Sequence, residues 1–141
     1  TDLEEECTRY TSLLSQFPTD IVCLGIGENG HIAFNDPDVA NFNDHKLVKI
    51  VKLDHVCRQQ QVNEKCFETL EQVPTEALTL TIPALLKAKW MFCIVPFKNK
   101  SQAVYRTIHG DISEKCPASI LRRKEKSSLY LDTESAQLLN L

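Results

Sequence analysis

The 141-residue sequence predicts an α/β fold, with a mostly parallel sheet and helices on both faces. Apolar runs of strand length alternate along the chain with segments of helical periodicity, the pattern of βαβ units. A glycine-rich turn directly follows the first apolar run. The longest apolar run, residues 90–97, is typical of a central strand. These observations predict a Rossmann-like architecture in a single domain over residues 1–141.

The first predicted elements are a helix, a strand and a glycine loop. Apolar residues recur at helical spacing over residues 2–17, and Pro18 ends this helix. Residues 20–24 form a strand whose apolar run indicates burial. The glycine loop then occupies residues 25–37.

The rest of the chain continues the alternation. Residues 46–53 alternate apolar side chains with lysines, which predicts a strand or an edge ribbon, and Asp54 is predicted to cap a helix that runs to about Phe67. The later predicted elements are a strand over 77–82, a short helix from Pro83 to about Lys89, a strand over 90–97, a helix over 100–109 that ends at Gly110, a short helix over 117–121, a strand over 128–131 and a helix over 133–139.

Charge, hydropathy and cysteine spacing exclude several classes of protein. The net charge of −3, with both signs mixed, gives no basic stripe for nucleic acid, and no apolar run approaches the ~20 residues of a membrane span. Six irregularly spaced cysteines without a C-x-x-C pair favour free thiols in a reducing cytoplasm, and they indicate no metal site. Cys23 and Cys93 lie in apolar runs, where we expect them in the core.

Residues 25–37, with the sequence GIGENGHIAFNDP, are the most informative segment. The glycines formally match the dinucleotide pattern G-x-G-x-x-G, but that pattern needs a helix beginning inside the loop. The run Asn-Asp-Pro-Asp at residues 35–38 breaks a helix too soon after Gly30, so we expect no nucleotide cofactor. A plain surface turn remains an alternative. A glycine turn at the end of a strand, carrying His31 and the acid Asp36, favours a catalytic loop.

This loop resembles a family signature. The pattern Gly-x-Gly-x-(Asn/Asp)-Gly-His-Ile-(Ala/Gly)-Phe-Asn-(Glu/Asp)-Pro is similar to that of glucosamine-6-phosphate deaminases, and the resemblance extends from about Thr19 to about Leu139. Further segments that resemble this family, in the same order along the chain, are Val73-Pro74-x-x-Ala77-Leu78-Thr79, Lys100-Ser101-x-Ala103-Val104 and Pro117-Ala118-Ser119-Ile120-Leu121. The related 6-phosphogluconolactonases share the Gly-His turn but typically continue Thr-x-Ser-Leu-Phe-Pro. Phe34 and Asn35 therefore favour the deaminase branch.

The resemblance implies that an aminosugar 6-phosphate is isomerised from aldose to ketose with loss of ammonia, without a metal or cofactor. His31 would open the sugar ring, because an imidazole both takes and gives a proton near neutral pH. Asp36 matches a glutamate that orients this histidine, and we expect the shorter acid to need a backbone shift or a water molecule to reach it. Asn29 matches a position held by Asp or Asn, so we expect the third carboxylate of this catalytic relay to be missing.

Three further residues are expected to bind the substrate. Gly30 lies in the turn beside the histidine. Arg58 matches the arginine of the family's mobile lid, and a guanidinium binds phosphate in a bidentate manner. Lys100 matches a lysine that contacts the substrate phosphate, and it opens a helix whose N-terminus favours anions. Lys98 is an adjacent alternative to Lys100, and an ordinary solvated charge is an alternative for Arg58 and for Lys100.

The sequence also departs from the family. Many deaminases have a Ser-Arg-Thr-Arg-like segment, allosteric in some members, where residues 40–46 read ANFNDHK, so the exact aminosugar and its regulation stay open. Family members typically carry an N-terminal half with a phosphate-binding loop and the proton-transfer base. We therefore expect residues 1–141 to be the C-terminal portion of a larger sugar-phosphate isomerase domain, inactive alone.

Two other functions remain open at this point. One is a 6-phosphogluconolactonase-like hydrolase, and the other is a non-catalytic sugar-phosphate-binding domain. In each case the expected partner is a small sugar phosphate, with neither nucleic acid nor membrane. The sequence leaves the oligomeric state open, and a homo-oligomer is compatible with it.

Overall fold

The computed structural model describes residues 2–140. The helices are α1 (Leu3–Gln16), α2 (His55–Asn63), α3 (Ile82–Leu86) and α4 (Ser101–His109). The strands are β1 (Ile21–Leu24), β2 (Val48–Lys52), β3 (Glu76–Leu80), β4 (Trp90–Val95) and β5 (Ser127–Leu131). Three 3-10 turns lie at Leu70–Gln72, Lys98–Lys100 and Pro117–Arg123. Within residues 2–140, no helix is both long enough and apolar enough to cross a membrane.

The sheet is parallel, in the order β1-β4-β5, which confirms the predicted α/β class. The longest apolar run forms β4 at its centre, as predicted, because that strand pairs with a neighbour on each side. Strands β2 and β3 form a separate antiparallel ribbon, which confirms the ribbon predicted over residues 46–53. The carboxyl end of β1 leads directly into the glycine loop.

One face of the parallel sheet carries the core. Met91, Cys93 and Val95 of β4 alternate onto this face and are at most 1% exposed. Ala103 and Val104 of α4 belong to the same buried cluster. Burial of an aliphatic side chain of this size contributes roughly 1.5–3 kcal/mol, so this layer supplies much of the stability behind the site.

The opposite face of the same sheet is apolar and exposed. Ile21 pairs with Trp90 and Ile94 pairs with Tyr130, and these four side chains are 42–55% exposed. Cys23 alternates onto this face and is also exposed, so the expectation that it is a core residue is wrong. Strand β1 is half exposed rather than buried, because it is an edge strand with one uncovered face.

Four predicted helices differ in length or type. The helix predicted from Pro83 to about Lys89 spans Ile82–Leu86, and the one predicted over 117–121 is a 3-10 helix over Pro117–Arg123. Asp54 caps α2 as predicted, but the helix ends at Asn63 rather than near Phe67, because Lys65 adopts a left-handed conformation with a φ of 61°. Residues 133–139 form hydrogen-bonded turns instead of a helix. There the Ser135 hydroxyl accepts from the N–H of Asp132 and the Asp132 carboxylate accepts from the N–H of Ser135, which closes a local turn.

Candidate active site: a histidine–carboxylate relay beside a cleft

Two glycines of the loop after β1 leave space for other residues. A Cβ atom on Gly27 would lie 2.2 Å from Cε1 of His31, so the imidazole packs against the bare backbone. Gly30 has a φ of 91°, and a Cβ there would lie 2.8 Å from the Sγ of Cys116. Its carbonyl accepts from the N–H of Ala118. Gly30, predicted to bind substrate, therefore lies at a structural contact and is not among the residues that line the cleft described below.

The β2–β3 ribbon holds the second half of the loop. The Asn35 side chain donates to the carbonyls of Ile32 and Leu80 at 3.0 and 2.8 Å, and the N–H of Phe34 donates to the Thr79 hydroxyl. No helix begins inside the glycine loop, which agrees with the exclusion of a dinucleotide pattern. The Phe-Asn pair thus fixes the segment that separates His31 from Asp36.

His31 and Asp36 are in direct contact. The Nδ1 atom of His31 lies 2.9 Å from Oδ1 of Asp36, and the two side chains are 10% and 1% exposed. The shorter acid therefore reaches the ring without the intervening water molecule that was one of the two expected alternatives, and the backbone shift stays a prediction. With Nδ1 engaged, Nε2 is the ring nitrogen left for proton exchange with a ligand.

The Asp36 carboxylate is stabilised as an anion. Burial acts to raise its pKa, but hydrogen bonds from His31 and Asn29 together outweigh burial and hold the pKa below its usual value. The backbone N–H of Asp54 adds a contact at 3.3 Å to Oδ2. An ionised Asp36 would stabilise the positive charge that His31 gains when it accepts a proton.

Asn29 joins two carboxylates. Its Nδ2 atom donates to Oδ1 of Asp36 and to Oδ2 of Asp54, each at 2.9 Å, and its Oδ1 accepts from the N–H of His31 at 3.0 Å. Position 29 itself carries no carboxylate, as expected from the sequence, but the Asn29 amide contacts the carboxylate of Asp54. The sequence identified Asp54 only as a helix cap, and its distance of 25 residues from Asn29 hid the contact.

His31, Asp36 and Cys57 place three potential metal ligands within 4.8 Å of one another. Their chemistry does not favour a metal. Burial, followed by the charges of Asp36 and Asp54, raises the pKa of the Cys57 thiol to about 12, whereas a metal needs the thiolate. The Asp36 oxygens already accept from the Asn29 amide and from the backbone N–H of Asp54, and the imidazole lies 2.9 Å away, so the cluster is better suited to proton relay.

A cleft of about 400 Å³ lies beside the imidazole, within the usual size range of small-molecule sites. It is lined by Gly25, Ile26, Gly27, His31, Ala33, Gln60, Glu64, Ile94, Val95, Pro96, Phe97 and Lys100. Gln60 projects from α2 and Glu64 directly follows this helix, while Lys100 follows β4. Sequence reasoning missed both residues, although Gln60 lies three residues after Cys57 and Glu64 lies four residues after Gln60, a spacing that places them on one helix face.

Lys100 is the cation that the structure brings into this cleft. The residue is 7% exposed, and its Nζ atom lies 3.3 Å from Oε1 of Glu64. The Gln60 side chain donates to the same Glu64 oxygen at 2.8 Å. Lys98, the alternative to Lys100, is exposed and does not line the cleft.

Arg58 lies elsewhere. Its Nη2 atom donates to the carbonyls of Leu70 and Val73 at 2.6 and 3.1 Å, which ties α2 to the following 3-10 turn. The structure does not bring Arg58 into the cleft. The phosphate contact predicted for it stays a prediction.

The fold and the loop together define a class of protein. A histidine–aspartate pair at the carboxyl end of a parallel strand, beside a cleft with a buried lysine, is an acid–base site suited to an anionic ligand. Residues 1–130 match the family of glucosamine-6-phosphate isomerases and 6-phosphogluconolactonase, and the chain belongs to this family.

Relatives within the family extend this assignment. A glucosamine-6-phosphate deaminase of Bacillus cytotoxicus is 41% identical over 137 residues, which are 97% of this chain and 50% of the relative. The deaminase of Listeria monocytogenes serotype 4a is 40% identical over 139 residues, 99% of this chain and 57% of the relative. The chain thus spans about half the length of the curated relatives it matches.

Solved structures agree with the fold. A monomeric glucosamine-6-phosphate deaminase superposes with a TM-score of 0.89 at 38% identity, over 97% of this chain and 55% of that one. The 6-phosphogluconolactonase of Leishmania guyanensis superposes with a TM-score of 0.71 at 21% identity, over 96% of this chain and 52% of that one. At that identity, the second likeness concerns the fold alone.

Proposed function

We propose that this chain supplies the ring-opening site of an aminosugar-6-phosphate deaminase, with glucosamine 6-phosphate as the substrate. The observation that carries the proposal is the contact of 2.9 Å between His31 and the buried, ionised Asp36 at the edge of a sugar-sized cleft. The deaminase relatives at about 40% identity support the choice of substrate.

The geometry supports a specific proton path. Nε2 of His31 takes the proton of the anomeric hydroxyl as the bond from C1 to the ring oxygen breaks, and a proton returned from the imidazole neutralises the ring oxygen. Asp36 stabilises the imidazolium between these steps, and Asn29 keeps Asp36 in place through the hydrogen bond of 2.9 Å. General acid–base catalysis of this kind contributes typically ~10²–10⁴-fold in rate.

The substrate phosphate is proposed to bind Lys100. The ammonium is already paired with a carboxylate, Glu64, so an anion occupies this end of the cleft in the unliganded structure. A phosphate dianion would replace Glu64 and form a stronger charge-assisted hydrogen bond. Glu64 is 44% exposed, which makes its exchange for a ligand inexpensive.

The deaminase proposal is tested by two assays on the same protein. We expect ammonia release from glucosamine 6-phosphate and no hydrolysis of 6-phosphogluconolactone, measured on the 141-residue chain joined to the N-terminal half of the Bacillus cytotoxicus relative. The chain alone is expected to be inactive. Lactone hydrolysis without ammonia release would support the hydrolase alternative. Sugar-phosphate binding without either turnover would support a binding domain.

Phosphate binding is tested separately by calorimetry. Lys100→Ala should weaken the binding of glucosamine 6-phosphate by roughly 1.5–3 kcal/mol, the range for hydrogen bonds to charged groups, and should affect unphosphorylated glucosamine far less. Lys98→Ala is the matched control and should leave both affinities unchanged. Equal losses for both ligands would contradict the role of Lys100.

We also propose a cytoplasmic location. All six cysteines are free in the structure, and two of them, Cys23 and Cys66, are exposed. Exposed thiols are stable in a reducing compartment. Labelling the fractionated source cells with an antibody to the chain would test this proposal.

A further inference from the structure

We infer that Asp54 is a positioning residue of the His31 relay and that it couples helix α2 to the catalytic pair. This inference deepens the proposed function and rests on His31 acting as the acid–base group. Asp54 makes three contacts with different partners. Its Oδ2 accepts from Asn29 at 2.9 Å, its backbone N–H donates to Asp36 at 3.3 Å, and its Oδ1 accepts from the N–H of Cys57 at 2.6 Å.

The first contact fixes the orientation of the Asn29 amide. An amide nitrogen carries two protons, and here one is directed at Asp36 and the other at Asp54. The amide oxygen accepts from the N–H of His31. A flipped amide would place its NH₂ group against that N–H and its oxygen between two carboxylates. The Asp54 carboxylate therefore selects the one orientation in which Asn29 supports Asp36.

The asparagine at position 29 follows from the same arrangement. An aspartate there would put three carboxylates within hydrogen-bonding distance and replace two attractive contacts by repulsions. The amide bridges the two acids without adding a charge. Asn29 and Asp54 thus form a matched pair, in which the preferred residue at one position depends on the residue at the other.

The other two contacts join the relay to α2. Asp54 caps the first turn of the helix through Cys57, while its backbone N–H holds Oδ2 of Asp36. Gln60 of this helix and Glu64, which caps its C-terminal end, line the cleft. If α2 moves when a ligand replaces Glu64, Asp54 would therefore transmit that movement directly to Asp36.

The inference is tested first by NMR spectroscopy of the 141-residue chain. Asp54→Ser retains a capping oxygen but removes the acceptor for Asn29. We expect one of the two Asn29 side-chain amide protons to move upfield and to exchange about ten-fold faster with solvent, as for the loss of a charge-assisted hydrogen bond. The ¹⁵N shifts of the His31 ring should change as well, a signature that loss of a helix cap alone does not produce.

Asp2→Ser is the matched control, because Asp2 caps α1 in the same way, with its carboxylate accepting from the N–H of Glu4 at 2.8 Å. This variant should leave the Asn29 and His31 signals unchanged. Asp54→Asn keeps an acceptor oxygen, so the shift and exchange rate of the Asn29 amide protons should lie close to those of the parent chain. This second variant keeps the test valid if the serine variant fails to fold. Unchanged Asn29 and His31 signals in folded Asp54→Ser would overturn the inference, whether or not the protein deaminates any sugar.

A double-mutant cycle on turnover then tests the matched pair, in the chain joined to the N-terminal half. Asn29→Asp should lower kcat about 100-fold with KM within about two-fold, because misplacement of a catalytic group by about 1 Å has an effect of that size. Adding Asp54→Ser to Asn29→Asp should raise kcat about ten-fold above that of Asn29→Asp, because it removes one of the three acids. Additive losses, or losses in KM alone, would contradict the coupling.

Discussion

The glycine loop and the uncovered sheet face both adjoin strand β1, but they differ in how fully their side chains are in contact with partners. In the loop, both oxygens of Asp36 and every polar atom of the Asn29 side chain have partners within residues 29–54. On the sheet face, Ile21 and Trp90 pair through their backbones while their side chains remain exposed. The polar groups of Asp36 and Asn29 are therefore satisfied at short range, whereas the sheet behind them keeps an apolar face that residues 2–140 leave exposed.

This contrast has an energetic consequence. The loop is held by directional contacts of roughly 1 kcal/mol each, which need no further partner. The exposed face is a contiguous apolar surface of the kind that drives association. Variants in the loop should therefore change the chemistry and leave association unaffected, and variants of the face should do the reverse.

The largest expected effect comes from His31→Asn. Removing the acid–base group should lower turnover at least ~100-fold in the chain joined to the N-terminal half, while an open-chain substrate analogue still binds. The exposed His45→Asn is the matched control and should keep full turnover. Self-association should be the same in both variants. Near-normal turnover of His31→Asn would remove the basis for assigning the loop a catalytic role.

The second effect concerns the sheet face. The isolated chain should self-associate, and the double variant Ile21→Lys/Tyr130→Lys should weaken this association about ten-fold or more, because two desolvated charges would be buried at the contact. Sedimentation velocity over a concentration series measures the change. Tyr10→Lys, at an exposed tyrosine on α1, is the control. A chain that stays monomeric at all concentrations would contradict the prediction that this face drives self-association.

A smaller effect is expected from Glu64→Gln. Removing the carboxylate that competes for Lys100 should tighten the binding of glucosamine 6-phosphate about three-fold, since a half-exposed ion pair contributes no more than about 1 kcal/mol. Glu68→Gln, on the exposed segment that follows, provides the comparison. Weaker binding in Glu64→Gln would mean that this side chain supports the ligand rather than competing with it.

The smallest effect is on stability in acid. Because the folded pKa of Asp36 lies below the unfolded value, its ionisation stabilises the fold fully above about pH 4, the usual value for aspartate, and this contribution is lost as the pH falls through the folded pKa. Thermal unfolding at a series of pH values should show less acid dependence in Asp36→Asn than in the parent chain. The control is Asp38→Asn, at an exposed aspartate directly after the loop, which should retain the parent's pH dependence. Equal slopes in all three chains would contradict the assigned ionisation.

Periodicity predicted most elements of the fold because it reports local burial. The spacing of apolar residues gave α1 within one residue at each end, and the longest apolar run gave the central strand. The predictions that failed concern properties that depend on the position of a strand in the sheet or on the backbone conformation of one residue. Cys23 is exposed because β1 lies at the sheet edge, and α2 is short because Lys65 is left-handed. Neither property is encoded in a hydrophobic pattern.

The site was predictable where the chain is contiguous. The glycine turn, His31 and Asp36 lie within one loop, so their type and spacing indicated a common site, although their direct contact was not expected. Asp54 was not found, because a contact across 25 residues leaves no local signal. The resemblance to the family also suggested Arg58 as a phosphate-binding residue, but a match in sequence does not say in which direction a guanidinium points.

Trp90 gives the molecule a built-in optical probe. It is the single tryptophan of the sequence, it lies on the exposed face with 42% of its surface accessible, and the ammonium of Lys126 lies 4.7 Å from its ring centroid. Indole emission shifts to shorter wavelength when water is excluded from the ring. A molecule that covers this face will therefore shift the Trp90 emission to shorter wavelength, which can be measured without a label. Events confined to the glycine loop will leave the emission unchanged.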